Sequence, residues 1–175
     1  PKVGVFGDVT STLAAALVAK NREIELFHVE SGLRSRNMMM PEERNRLAVD
    51  AISDYLFTPS DDAVKNLVEE NISKEKIYNV GNIMIDTLKA NLENILSSKT
   101  HVMDELQIEQ PYFVMTLHRP GNLTNEVLNG IFKALDAFKK DFKIIIPAHP
   151  RLSQYIESNN LHYDNFLFIE PLPYI

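Results

Sequence analysis

Hydrophobic residues along this chain fall into two alternating kinds of segment. Short continuous runs rich in Val, Ile and Phe, such as Lys2-Val3-Gly4-Val5-Phe6, Lys143-Ile144-Ile145-Ile146 and Phe166-Leu167-Phe168-Ile169, are separated by longer stretches whose apolar residues recur every three or four positions. That alternation is the mark of parallel strands, buried on both faces and joined by crossover helices. Strands are predicted near residues 3–6, 24–29, 55–58, 77–80, 112–117, 143–146 and 166–169, and helices near 12–20, 42–54, 61–70, 84–97, 125–139 and 152–159.

Local signals agree with this order. Pro41 suits a first helical turn, Ser60 is a good cap ahead of Ala63, Val64, Leu67 and Val68, and Gly7 and Gly81 close strands. Over residues 97–110 the chain turns polar and loses its period before a fresh strand starts at Tyr112. The expectation is two incomplete lobes, residues 1–81 and 82–175, with 82–110 as connecting helix and linker.

Composition narrows the partners. A chain of 175 residues buries about 70% of its unfolded surface, enough for one ordinary domain or two small lobes. No stretch approaches the roughly 20 apolar residues of a membrane helix, so no membrane partner is expected. A formal charge of −6, from 18 basic and 24 acidic residues, argues against nucleic acid, because no broad positive field exists to displace counterions from a phosphate backbone. The lack of cysteine removes disulfides, thiolate zinc sites and thiol nucleophiles, and fits the cytoplasm. The chain opens on Pro1 with no leader pattern, and its last predicted strand lacks a following helix, so it reads as an internal fragment.

In a parallel α/β sheet, ligands sit outside the carboxyl ends of the strands. The residues there are Gly7-Asp8 with Thr10 and Ser11, His28-Val29-Glu30 running into Ser31-Gly32-Leu33-Arg34, Gly81-Asn82, His118-Arg119 and His149-Pro150-Arg151. Asp8 after a glycine suits either an anion-binding turn or a plain N-cap, and the plain cap is the better reading of that pair alone. His28 and Glu30 share a strand face; a carboxylate there can move a proton, whereas the alternation of His28 with Leu26 favours an imidazole hydrogen-bonded inside the fold. Glu42, Asn45 and Arg46 share a helix face, which an ordinary surface ion pair also explains. Met38, Met39 and Met40 suit core filling or a mobile loop better than a ligand box. Imidazoles and guanidiniums at the two later strand ends are what a phosphate cleft needs. A metal site drawn from His28, Glu30, His118 and His149 is disfavoured, since no two histidines have ligand spacing.

Together these segments carry a resemblance. Gly7-Asp8-Val9-Thr10-Ser11-Thr12, His28-Val29-Glu30-Ser31-Gly32-Leu33-Arg34-Ser35, Pro41-Glu42-Glu43-Arg44-Asn45-Arg46, Gly81-Asn82 with Ile85-Asp86, Thr116-Leu117-His118-Arg119 and Pro147-Ala148-His149-Pro150-Arg151 resemble, in order, the motifs of the non-hydrolysing UDP-N-acetylglucosamine 2-epimerases. The match runs from Val3 to about Leu172. It implies two Rossmann-like lobes of the glycosyltransferase-B type, α/β with parallel sheets, each incomplete in this chain, and no metal or redox cofactor.

The implied reaction interconverts UDP-N-acetylglucosamine and UDP-N-acetylmannosamine, for surface polysaccharide, by eliminating UDP to a 2-acetamidoglucal and adding it back. The resemblance assigns Asp8, Glu30 and Glu42 as acid/base carboxylates and His118 as the group beside the diphosphate. Arg46, with Arg34, Arg119, His149 and Ser11, is expected to contact substrate, and the implied assembly is a homodimer. Two departures stand out: Pro120-Gly121-Asn122 follows Arg119 where the family carries a Glu-Asn pair, and the family's basic opening motif and its Asp-Ser-Gly-Gly segment are absent. The runner-up readings are a glycosyltransferase of the same fold, which needs no three carboxylates around one ring, and an inactive nucleotide-sugar-binding fragment or sensor.

Overall fold

The computed structural model describes residues 1–97, 102–109, 111–117, 119–163 and 166–172. Seven strands and seven α-helices alternate along them: β1 (Lys2–Phe6), α1 (Thr10–Asn21), β2 (Glu25–Val29), α2 (Pro41–Ile52), β3 (Tyr55–Thr58), α3 (Asp61–Glu69), β4 (Ile77–Asn79), α4 (Ile83–Ser97), α5 (Val102–Glu105), β5 (Tyr112–Val114), α6 (Asn125–Asp136), β6 (Lys143–Pro147), α7 (Pro150–Ser158) and β7 (Leu167–Ile169). Every strand and long helix expected from the hydrophobic pattern is present. The short helix α5, in the polar stretch, was not expected: a single turn is too short to carry a readable period.

The chain divides into two compact units, Pro1–Glu93 and Asn94–Ile175, and the division falls inside α4. In the first unit β1, β2, β3 and β4 lie side by side in sequence order, all parallel, with Val5 opposite His28 and His28 opposite Leu56. Strand alternation sends Leu26 and His28 toward one face and Phe27 toward the other. On the first face Val5, Leu26, Ala16, Ala19 and Val49 close a core between the sheet and helices α1 and α2, which pack on each other. On the other face Phe27 meets Phe57 edge-on at 5.9 Å, and Phe57 meets Tyr78 at 5.6 Å.

The start of each helix follows local chemistry. Pro41 occupies the first turn of α2, where its missing N–H costs nothing, and the Ser60 hydroxyl accepts the Ala63 N–H at 3.3 Å to open α3. In the second unit β5, β6 and β7 form another parallel sheet in that order. Ile144 and Ile146 of β6 bury against Leu128, Phe132 and Leu152 from α6 and α7. The Thr124 hydroxyl caps α6 by accepting the Val127 N–H.

Candidate functional site

The carboxyl ends of β1 and β2 are joined backbone to backbone, Gly7 N–H donating to the Val29 carbonyl at 3.1 Å. Both strands then leave through left-handed residues: Gly7 at φ +64° and Glu30 at φ +65°. A side chain that reaches this region without a glycine's freedom is a small store of strain, and such residues gather at working sites. The Glu30 carboxylate lies close by, since a Cβ built on Gly7 would stand 3.4 Å from its Oε2.

Helix α2 supplies the polar groups that hold this corner. Arg46 donates from Nη2 to Asp8 Oδ2 at 2.5 Å, and from Nη1 to the Glu30 carbonyl. One residue earlier, Asn45 donates to the Asp8 carbonyl at 2.8 Å. Arg46 is buried while Asp8 is part-exposed, so the guanidinium aims an acidic side chain that still meets solvent. Asp8, Glu30 and Arg46, three expected site residues, thus come together at one corner.

Glu42 is solvent-exposed in the first turn of α2, three residues before Asn45 and four before Arg46, and among the described residues it has no hydrogen-bond or ion-pair partner. Ser11 is exposed in the first turn of α1, while its neighbour Thr12 is buried and donates to the Phe6 carbonyl at 2.7 Å. Glu30 also lines a cavity of about 210 Å3 outside the ends of β2, β3 and β4, walled by Val29, Phe57, Pro59, Val80, Gly81 and Ile83 and by a second carboxylate, Asp86.

Arg34 faces inward. Its Nε and Nη2 donate to the two oxygens of Glu70 at 2.6 and 2.5 Å, and its Nη1 meets Asp50 Oδ2 at 2.8 Å. His28 is fully buried, between Asp50 Oδ1 at 2.6 Å and the Gly7 carbonyl at 2.8 Å. The internally bonded imidazole that the alternation with Leu26 favoured is therefore the one observed.

Two carboxylates of α2 were missed in the sequence. Glu43 is buried and accepts from Ser35 N–H at 2.7 Å, Ser35 Oγ at 3.0 Å and Arg36 N–H at 2.9 Å. Burial works to raise its pKa, but these bonds and the Arg34 charge outweigh it and hold the carboxyl below the ordinary glutamate value. Asp50 is 1% exposed. The available signal was spacing: Glu43, Arg46 and Asp50 lie at i, i+3 and i+7, a polar stripe beside buried Val49 on the inward side of α2.

In the second unit, His149 caps α7, its Nδ1 accepting the Arg151 N–H at 3.2 Å, and Arg119 is solvent-exposed. His118 lies outside the described residues. Among the described residues no group of three or more His, Cys, Asp or Glu is arranged to hold a metal ion, and no helix is long and apolar enough to cross a membrane.

The sequence profile of the UDP-N-acetylglucosamine 2-epimerases matches residues 2–175. The chain belongs to that family. It is 39% identical, over 98% of its own length and 49% of the relative's, to a UDP-N-acetylglucosamine 2-epimerase homolog of Methanococcus maripaludis. It is 36% identical, over 99% of its length and 49% of the relative's, to the UDP-2,3-diacetamido-2,3-dideoxy-D-glucuronate 2-epimerase of Pseudomonas aeruginosa. Among solved structures it matches the Methanocaldococcus jannaschii UDP-GlcNAc 2-epimerase in complex with UDP-GlcNAc and UDP, with a TM-score of 0.85 and 37% identity over 98% of this chain and 50% of that one. The chain spans about half the length of the curated relatives it matches. Its fold is the family's: α/β, with two parallel sheets, each unit an incomplete Rossmann-like lobe of the glycosyltransferase-B type.

Proposed function

We propose that the protein to which these residues belong is a UDP-N-acetylglucosamine 2-epimerase acting in the cytoplasm as a homodimer, supplying UDP-N-acetylmannosamine for surface polysaccharide. In this reading residues 1–81 are the remainder of an N-terminal lobe and 82–175 begin the C-terminal lobe. The observation that carries it is the corner in which Arg46 links Asp8 to the Glu30 backbone, in a chain of this family.

The reaction needs a base to take the proton from sugar carbon 2 while the bond from carbon 1 to the UDP oxygen breaks toward the phosphate, leaving a 2-acetamidoglucal and UDP. Addition of UDP back to carbon 1, with a proton delivered to the opposite face of carbon 2, completes the inversion. Asp8, Glu30 and Glu42 are the carboxylates for the proton steps, and His118 assists departure of the diphosphate. Arg46, Arg119, His149 and Ser11 contact substrate, and Arg34 acts by shaping the loop after Glu30. No metal or redox cofactor takes part in this scheme.

A second reading changes only the sugar. Identity to the P. aeruginosa relative nearly equals that to the first, and the same proton chemistry inverts carbon 2 of a UDP-diacetamido-glucuronate. The full-length protein, given UDP-N-acetylglucosamine in heavy water, is expected to form the epimer and take up deuterium at carbon 2. Glu30→Gln and Asp8→Asn are expected to retain UDP binding with turnover lowered about 100-fold to 10,000-fold. Absence of both epimer and deuterium refutes the first reading, and turnover of the glucuronate substrate alone establishes the second.

A further inference from the structure

Asp50 is one buried carboxylate with its two oxygens committed to different loops. Through Oδ1 it meets His28 Nδ1 at 2.6 Å, and the other ring nitrogen reaches the Gly7 carbonyl at 2.8 Å, the peptide that leads into Asp8. Through Oδ2 it accepts the Gly32 N–H at 3.0 Å and the Arg34 guanidinium at 2.8 Å, two and four residues beyond Glu30. Gly7 and Gly32 are both left-handed, as is Glu30 between them in the sequence. The two ring nitrogens of His28 thus face an acceptor on either side, a carboxylate on α2 and a peptide carbonyl of the β1 turn. The imidazole is therefore a rigid strut between α2 and the β1 turn.

Stability alone does not account for this arrangement. Buried charge pairs roughly break even against apolar side chains of similar size, and the adjacent Val49 fills its place as a plain aliphatic. What an aliphatic residue at position 50 cannot do is fix two peptide groups at once, one on each side of the candidate acid/base carboxylates. We propose that Asp50 and His28 form a positioning pair that sets the Asp8 and Glu30 loops for proton transfer without touching substrate. This rests on the epimerase reading above, in which those two carboxylates do the chemistry.

The test uses the full-length protein with Asp50→Asn, His28→Gln and the double variant. Misplacing reacting groups by about 1 Å costs on the order of 100-fold in rate, so kcat for epimerisation is expected to fall by about that factor, with KM and UDP affinity near wild type. The double variant is expected to be no worse than Asp50→Asn, because both residues act through one chain of bonds. Exchange of the Gly32 amide is expected to quicken in Asp50→Asn. An unchanged kcat in Asp50→Asn, or losses that add in the double variant, overturns the proposal.

Should the variants fail to fold, nitrogen-resolved NMR of the wild-type His28 ring decides. A ring proton protected from solvent exchange supports the strut, and ring protons that exchange as freely as those of an exposed histidine overturn it. If the wild-type protein does not epimerise at all, the functional reading falls. The ring protons and the Gly32 exchange rate still report whether the pair holds the loops.

Discussion

Single residues between Glu30 and Arg34 carry opposite kinds of constraint. Gly32, at φ +78°, has no room for a side chain, because a Cβ there would stand 2.4 Å from the Ala63 carbonyl oxygen. Its N–H is taken by Asp50 and its carbonyl by Asn66 Nδ2 at 2.9 Å, so the turn is held on both sides. Ser31, next to it, is fully buried, and among the described residues its hydroxyl has no hydrogen-bond partner, although its N–H donates to the Phe57 carbonyl. A buried hydroxyl without a partner keeps its desolvation cost and gains nothing in return. Ser31→Ala is therefore expected to stabilise the protein by about 1 kcal/mol, read as a higher denaturant midpoint at unchanged slope. A fall in the midpoint would mean that the hydroxyl has a use in solution.

Helix α2 acts as the keel of the first unit, and each polar residue on its inward stripe ties down a different segment. Glu43 holds the Ser35 and Arg36 amides, Arg46 holds Asp8 and Glu30, and Asp50 holds His28, Gly32 and Arg34. This gives the element a pH response whose sign is fixed. The folded pKa of Glu43 lies below its unfolded value, so its contribution is fully present above the ordinary glutamate value of 4.5 and is lost as pH falls through the lower folded value. Asp54, held down chiefly by its bonds to Lys20 and also by the Leu26 N–H, loses its contribution too, but only once pH falls below the ordinary aspartate value of 3.8, deeper in the acid window that Glu43 opens. The Ser35 and Arg36 amides are expected to lose exchange protection only within that window. Glu43→Gln is expected to loosen them at neutral pH and to abolish the acid step. Protection that is indifferent to both acid and Glu43→Gln would show that the loop is held by other contacts.

At the scale of the whole molecule, apolar surface is left over. Helix α1 is apolar on most sides yet buries only Thr12, Ala16 and Ala19, leaving Leu17 and Val18 exposed. Helix α4 exposes Ile85, Leu88, Leu92 and Leu96. Helices of this composition are ordinarily covered, and the chain spans about half the length of its relatives. The 175-residue chain by itself is expected to give no measurable epimerisation of UDP-N-acetylglucosamine under conditions where the full-length protein turns over. Robust turnover by the short chain would mean that its 175 residues already contain a complete site.

The sequence alone determined the order of the elements and the strand ends where polar residues gather. Burial on both faces of a parallel sheet writes an unbroken apolar run, and a crossover helix writes a period of three to four, and both are local. It also determined the family, through six motifs in order. What only the tertiary structure decided is which polar residue meets which. Arg46 and Asp8 are 38 positions apart, and His28 and Asp50 are 22 apart. Nothing in the spacing along one strand tells that the next helix will turn a carboxylate toward it. Arg34 and Arg46 look equally exposed as residue types, yet burial and a specific carboxylate turn each inward. Those pairings depend on how α2 lies across β1 and β2, and that follows from packing the apolar core between them, a property of the folded chain and of no segment within it.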